Sequence, residues 1–306
     1  MKLLITGACG HIGSYLIQHV YKIKKIKQVI LLDNFISQRY QTLFNLKPKK
    51  KFKFFKIDLS RNSLNKFPKV NYVIHCASLT NAENSFNIKK EMYRNNLNCF
   101  NNIIKYCKKN KSKLIHISST SVYGKQTKIV NEDDVSVIKP QSPYAKIKLL
   151  EENILKKNKK KITYNTFRFG TISGVSRGMR FHTAINKFCF NAALNEKIQI
   201  YKTAYNQYRP YLSLGDAFKV LKFCIQKDIF NNTIYNVLSG NFTVKQIIQI
   251  IKRYKKNVRI QFVNSEIMNQ LSYHVDSKKI EKLGLKLNSS IQNDIKNTLS
   301  LFENIK

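Results

Sequence analysis

A serine, a tyrosine and a lysine stand in this chain where together they could take a proton from an alcohol. Tyr144 and Lys148 are four apart in Ser142-Pro143-Tyr144-Ala145-Lys146-Ile147-Lys148, which puts both on one face of a helix. A free tyrosine titrates at about 10, so as a base at neutral pH it needs help. An ammonium one turn away and the positive start of a helix both favour its phenolate. Ser119, in Ser118-Ser119-Thr120-Ser121-Val122-Tyr123-Gly124, could donate a hydrogen bond to the hydroxyl that Tyr144 deprotonates. The three would remove a proton from a secondary alcohol while hydride leaves its carbon for an acceptor beside it.

Elements must hold these side chains in place. Ser142 is a natural N-cap and Pro143 suits the first helical position, so Tyr144 falls in a first turn. Ser119 follows an apolar strand, Leu114 to Ser118. At the other end of the chain, Leu3-Leu4-Ile5 reads as a buried strand, and Ile12, Leu16, Ile17 and Val20 recur at helical spacing. Between them Thr6-Gly7-Ala8-Cys9-Gly10-His11-Ile12-Gly13 makes a strand-to-helix turn. Three glycines there let the backbone turn tightly, approach a pyrophosphate and pack the helix closely. The first N–H groups of the helix then face the phosphates.

Gln28 to Leu32 is a second strand ending at Asp33-Asn34, and Asp33 lies 20 residues beyond Gly13. At that separation a carboxylate accepts from an adenosine ribose and repels a 2′-phosphate, which favours NAD over NADP; Arg39 nearby keeps the second form open. A turn aspartate without a ligand is the competing reading. Lys53 to Ile57, closed by Asp58-Leu59, and Val70 to His75 give a third and a fourth strand, with Leu114 to Ser118 the fifth. An amphipathic helix from about Ile88 to Lys109 separates the last two. Strands alternating with helices imply a doubly wound parallel sheet with its ligands at the carboxyl ends of the strands. Gly7, Asp33, Asp58, Ala77 and Ser119 all fall at such ends.

Composition excludes other classes. The 306 residues are 43% hydrophobic, enough for one large core or two smaller ones. No apolar run approaches the roughly 20 residues needed to cross a bilayer, and Leu3 to Ile5 is too brief for a signal peptide, so a cytoplasmic location is expected. Six cysteines show neither a paired nor a metal-ligand spacing, which predicts reduced thiols and no metal. The net charge of +38 raises nucleic-acid binding. Yet the lysines run through the whole length, and no zinc-finger or aromatic RNA-binding motif accompanies them. No nucleic-acid partner is expected; the charge speeds encounter with an anionic small substrate.

Taken together, these stretches resemble the extended short-chain dehydrogenase/reductase family, specifically its NAD-dependent nucleotide-sugar epimerases and dehydratases. The resemblance rests on Thr6 to Gly13, Asp33-Asn34, Asp58-Leu59, His75-Cys76-Ala77-Ser78, Tyr93-Arg94-Asn95-Asn96, the Ser119 segment and Tyr144 with Lys148, in this order. It implies an α/β fold: a Rossmann-type doubly wound sheet over residues 1–171, completed by about 205–240, and a smaller α+β substrate-binding domain mainly over 172–306. It implies Ser119, Tyr144 and Lys148 as catalytic, with Lys148 also holding the nicotinamide ribose. Gly7, Gly10, His11, Ile12, Gly13, Asp33, Asn34, Asp58, Leu59, Cys76, Ala77, Ser78 and Asn95 become cofactor-binding, with NAD the cofactor. A homodimer through the helices after Asn87 and after Ser142 is implied as well.

The substrate half is similar to the family in the same way. Phe167-Arg168-Phe169-Gly170-Thr171 resembles its sixth strand, with Thr171 where asparagine is usual. Met179 to Phe188 looks like the entry to the smaller domain. Arg209-Pro210-Tyr211-Leu212-Ser213 resembles a segment whose arginine clamps a diphosphate, although Pro210 and Ser213 replace the usual aspartate and histidine. Thr171, Arg180, Asn186 and Arg209 are the substrate-binding residues so implied. His11, His75, His116, His182 and His274 read as turn or strand residues, His182 lying where a sugar nucleotide could pass.

In the family's 4,6-dehydratases an Asp-Glu pair follows the serine or threonine, because eliminating water needs an acid and a second base. Here the positions are Thr120 and Ser121. The expectation is therefore an NAD-dependent epimerase acting on a nucleotide-diphosphate sugar, at C4 first among the ring carbons. A nucleotide-sugar reductase or dehydrogenase is the alternative. A non-catalytic NAD- or nucleic-acid-binding module ranks below it, since such a module has no need of the Ser-Tyr-Lys set.

Overall fold

The computed structural model describes residues 1–82, 84–264 and 273–305. Its centre is a seven-stranded parallel sheet of β1 (Lys2–Thr6), β2 (Gln28–Asp33), β3 (Lys51–Lys56), β4 (Tyr72–His75), β5 (Lys113–Ser119), β7 (Tyr164–Phe169) and β11 (Ile234–Val237). The order across the sheet is β11-β7-β5-β4-β1-β2-β3. Succession runs one way from β1 to β3 and the other way from β4 on. The crevice where it reverses, between β1 and β4, is where a doubly wound sheet takes its ligand.

Burial on both faces explains the unbroken apolar runs. Leu3 and Ile5 point into a core shared with α1 (His11–His19) and α5 (Leu214–Lys227), while Leu4 points into a second core with α2 (Lys89–Asn110) and α3 (Pro143–Lys157). Successive side chains of a strand alternate faces, so an apolar residue is needed at every position. β3 is the sheet edge, and its alternating Lys51-Phe52-Lys53-Phe54 buries only partly.

The remaining elements lie beyond β7. β8 (Thr171–Ser173), β10 (Tyr208–Ser213) and β12 (Gly240–Thr243) form a three-stranded mixed sheet. β9 (Ile198–Tyr201) pairs with β13 (Ile260–Val263), and β6 (Ile129–Val130) with β14 (His274–Val275). A third core joins β9 and Tyr211 to α4 (Ala184–Ala193), α6 (Val244–Tyr254) and α8 (Ile291–Ser300). The short α7 (Lys278–Glu281) packs near β11. Among the described residues no helix is long and apolar enough to cross a membrane.

Three expected boundaries shift. The third strand runs from Lys51 to Lys56, where Lys53 to Ile57 was expected, and the fourth begins at Tyr72 rather than Val70. The expected sixth strand, Phe167 to Thr171, is broken: β7 ends at Phe169, and Thr171 opens β8 in another sheet. Gly170 permits the break, because a Cβ there would sit 3.0 Å from the Pro210 carbonyl of β10, which runs parallel alongside β8.

Candidate active site

The site begins at the turn after β1. Gly7 has φ +62°, and a Cβ on it would lie 2.7 Å from the Ala77 nitrogen after β4. Only glycine meets both conditions. A Cβ on Gly13 would lie 2.2 Å from the Gly7 carbonyl oxygen, so α1 can start hard against the turn. No side chain caps α1 at its Gly10 N-cap, which leaves the leading N–H groups of the helix open toward the cleft. On the other side of the crevice, the Thr6 hydroxyl accepts from the Ala77 N–H at 3.2 Å and is 2.8 Å from His75 Nδ1.

Asp33, at the end of β2, holds this turn from the flank. Its Oδ2 accepts from the Cys9 N–H at 2.9 Å and its Oδ1 from the Phe35 N–H at 2.8 Å. One carboxylate thus fastens the glycine turn and the loop after β2 together. Below the β4 end, the buried Asn96 amide bonds both backbone groups of Leu79, at 2.8 and 3.0 Å, and its Oδ1 accepts from Asn95. Asn96 fixes the strip containing Ala77 and Ser78, a task the sequence reading did not assign to it.

The catalytic candidates converge on the end of β5. Ser119 Oγ accepts from the Ser121 N–H at 3.2 Å and the Ser121 hydroxyl at 2.9 Å. With two donors on its lone pairs, its own proton is left to point into the cleft. Ser142 caps α3 by accepting from the Ala145 N–H at 3.1 Å, with Pro143 in the first turn. Tyr144 and Lys148 follow on one face, the ammonium 5.9 Å from the tyrosine ring centroid. Lys148 is buried, and its Nζ donates to Glu151 Oε2 at 2.8 Å. Burial alone would lower the lysine, but the Glu151 carboxylate and Tyr144 outweigh it and hold it above its usual value. Burial pushes Glu151 the opposite way, and contact with Lys148 and His116 holds it well below the usual carboxylate range.

Other titratable groups drop out of the chemistry. Burial lowers His11 and His75 to about 3, so both are neutral near pH 7. It pushes the Cys9 and Cys76 thiols up to about 12, so neither is a thiolate. Among the described residues no group of His, Cys, Asp and Glu could hold a metal ion.

A cleft of about 620 Å³ runs from the glycine turn past Ser119 and Tyr144 to the β8–β10 sheet. Its lining contains every residue expected at the cofactor and catalytic positions: Gly7, Gly10, His11, Ile12, Gly13, Asp33, Asn34, Asp58, Leu59, Cys76, Ala77, Ser78, Asn95, Ser119, Tyr144 and Lys148. Thr171, Arg180 and Arg209 line its far part, together with His182 and Lys187. Arg209 Nε and Nη2 are buried there without a partner among the described residues. Asn186 is the exception. It is fully buried in α4, outside the lining, and its amide donates to the Arg180 carbonyl at 2.9 Å. It thereby ties α4 to the Arg180 loop, while its Oδ1 is buried without a partner among the described residues.

That loop is fastened to the glycine turn. His11 Nε2 lies 2.9 Å from the Gly174 carbonyl, the Ser176 hydroxyl donates to the His11 carbonyl at 3.0 Å, and the Gly178 N–H donates to Ser14 Oγ at 2.8 Å. A Cβ on Gly178 would meet the Cys9 carbonyl oxygen at 2.3 Å. The seam spans more than 160 positions, and no local pattern announces it. Arg180, at its end, bonds the Thr80 hydroxyl.

The turn, the open helix start and Asp33 fit a dinucleotide, and Ser119, Tyr144 and Lys148 fit proton transfer at an alcohol beside it. Comparison with known proteins agrees. A sequence model of the NAD dependent epimerase/dehydratase family matches residues 3–237. The chain is 26% identical over 365 residues to a dTDP-D-glucose 4,6-dehydratase of Dictyostelium discoideum, covering 99% of this chain and 82% of that one. A putative UDP-glucose 4-epimerase of Methanocaldococcus jannaschii is 26% identical over 314 residues, covering 99% and 98%. The chain spans about half the length of some longer relatives it matches. In fold it is similar to the UDP-glucuronic acid 4-epimerase of Bacillus cereus, solved with UDP-glucuronic acid and NAD, at a TM-score of 0.90 and 23% identity over all of both chains.

Proposed function

Because the chain belongs to the NAD-dependent epimerase/dehydratase family, we propose that it inverts the hydroxyl-bearing C4 of a nucleotide-diphosphate sugar through a transient keto sugar. The observation that carries this choice is an absence at the reacting end of the cleft. Among the described lining residues the carboxylates are Asp33 and Asp58, at the ends of β2 and β3, and the two positions after Ser119 are Thr120 and Ser121. Thr120 Oγ1 is engaged with the Phe169 carbonyl and the Tyr273 hydroxyl. Removing water across C5 and C6 needs an acid and a second base, and neither residue supplies one. Reversible oxidation needs only what is there.

Bound NAD would supply the hydride acceptor and return the hydride to the other face of the sugar. Tyr144 takes the hydroxyl proton and gives it back after the ring has turned over. Ser119 donates its free hydroxyl hydrogen to the same oxygen, and the Lys148 ammonium supports the phenolate and the nicotinamide ribose. The glycine turn and the start of α1 hold the cofactor's pyrophosphate, and Asp33 its adenosine ribose. Arg209 meets the sugar nucleotide's diphosphate with its two unpartnered nitrogens, a match of planar fork to phosphate oxygens. Thr171 and Arg180 line the sugar's path.

The same reading divides the chain near residue 171, with the β10–α5–β11 segment returning to the first domain. It includes a homodimer closed through α2 and α3, where Leu150 is 40% exposed, and work in the cytoplasm.

Incubation of the protein and NAD with UDP-, GDP-, CDP- and dTDP-sugars, read by NMR, is expected to show one C4 epimer and no net NADH. Tyr144→Phe is expected to abolish turnover while NAD still binds. A 4-keto-6-deoxy product would sink the proposal, and NADH accumulating in proportion to substrate would establish the reductase or dehydrogenase instead.

A further inference from the structure

α3 turns a third ionisable side chain toward the site. Tyr144, Lys148 and Glu151 fall four and then three residues apart along it, so all three share one face. Glu151 has 0% of its surface exposed, and one oxygen serves two donors. Its Oε2 accepts from Lys148 Nζ at 2.8 Å and from His116 Nε2 at 2.9 Å. His116 stands on β5 three residues before Ser119, and its Nδ1 is 3.2 Å from Thr166 Oγ1 on β7. A carboxylate only accepts, so Nε2 carries the hydrogen, and in the neutral ring Nδ1 takes the hydrogen of the threonine hydroxyl. The Phe100 ring, 4.9 Å away centroid to centroid, covers the imidazole.

Glu151 is not simply part of the scaffold. The next residue, Glu152, points elsewhere: it makes a bidentate pair with Arg168 and accepts from Ser118. Glu151 instead meets the lysine of the reacting set, with its Oε1 left without a partner among the described residues. A buried carboxylate with an idle oxygen is costly unless the charge it faces needs it.

We propose that Glu151 is a positioning residue for the reaction: it keeps Lys148 charged and fixed along α3, and His116 and Thr166 in turn fix Glu151. This rests on the reading that Lys148 works at bound NAD. Burial disfavours an ammonium, and besides Glu151 only Tyr144 among the groups facing this one from each packed element could oppose it, and only while it is a phenolate, a form spent each time it takes a proton. Those groups are Tyr144 on α3, His116 on β5, His75 and Cys76 at the end of β4, and Cys99 on α2. Burial holds the Cys76 and Cys99 thiols up at about 12 and His75 down at about 3. Glu151 is what balances Lys148. A glutamine in its place keeps the acceptor and the shape and removes only the charge.

The test titrates the full chain with NAD by calorimetry at about pH 6.5 and about pH 9, a span that leaves an ordinary lysine charged. The parent's affinity is expected to change less than about twofold. Glu151→Gln is expected to match the parent at the lower pH and to bind about tenfold more weakly at the higher, as the unbalanced ammonium discharges. Glu151→Asp, which restores the charge, is expected to be insensitive to pH again. Equal weakening of Glu151→Gln at both pH values, or a profile that overlays the parent's, would overturn the proposal. If Glu151→Gln fails to fold, the double variant Lys148→Met/Glu151→Gln decides: recovered folding supports an orphaned ammonium as the cause, and no recovery refutes it. An error in the epimerase reading would show in the sugar panel and leave these NAD titrations as they are.

Discussion

Removing the Arg168 guanidinium tests how α3 is held against the sheet. Arg168 on β7 donates from Nε and Nη2 to the two Glu152 oxygens, at 3.0 and 2.7 Å, and from Nη1 to the Tyr123 hydroxyl at 2.9 Å. The Arg168 and Glu152 side chains are 4% and 3% exposed. Arg168→Met fills most of the same space but leaves the carboxylate buried with only the Ser118 hydroxyl, 2.6 Å away. Breaking such a pair from one side costs about 3–5 kcal/mol. That is a large share of a total stability of about 5–15 kcal/mol, and it lowers the melting temperature by on the order of 10 °C. Tyr123 keeps its bond to Asn236 at 2.8 Å, so the loss should come from Glu152. Glu152→Leu/Arg168→Met removes both charges and should recover most of the loss, because a buried pair replaced by apolar groups is often neutral. Calorimetric melts of the three proteins, with urea titrations beside them, measure this. A single variant within about 1 kcal/mol of the parent, or a double variant no better than the single, would refute the argument.

Three further outcomes follow from the geometry. Asp33→Ala loses the bond to the Cys9 N–H and the proposed ribose acceptor; NAD affinity should fall by about 1.5–3 kcal/mol while the preference over NADP narrows, and calorimetry with the two nucleotides checks both. Gly13→Ala places a Cβ 2.2 Å from the Gly7 carbonyl oxygen, so the turn must open and NAD binding should be lost; retention of parental affinity would contradict that. Glu151 is held below its unfolded value of 4.5, so its contribution is present above that value and is lost as pH falls through and below it. The melting temperature of the parent should accordingly drop more steeply between about pH 5 and about pH 3 than that of Glu151→Gln.

Much of the first half of the fold was legible because local rules and the tertiary fold agree there. Leu3-Leu4-Ile5 is apolar on both faces, the glycines sit where the chain turns, and the Ser142 cap starts α3 as its sequence says. At β3 the lysines of an edge strand blurred the ends, and at Gly170 the close approach of β10, which no local pattern reveals, accompanies the break between β7 and β8. Asn186 shows a different limit: likeness to a family fixes a position along the chain, and its burial against the Arg180 loop was not legible from that position. Glu151 and Glu152 escaped notice because acids on a lysine-rich helix read as its wet face. Their spacing from Tyr144 was the available signal, since Glu151 lies on the same face as Lys148.

The seam between Gly178 and the glycine turn bears on how the cofactor is used. The segment from Gly174 to Gly178 is bonded to His11 and Ser14 and lies against the Cys9 carbonyl, and it leads directly into Arg180 in the far part of the cleft. The wall of one compartment is therefore an extension of the other's floor. Under the proposed function, loosening the glycine turn to let a dinucleotide go would also disturb the place where the sugar is received, so rapid exchange of the sugar fits this seam only if the dinucleotide stays. An epimerase of the proposed kind, which returns every electron it borrows, has no reason to let it leave.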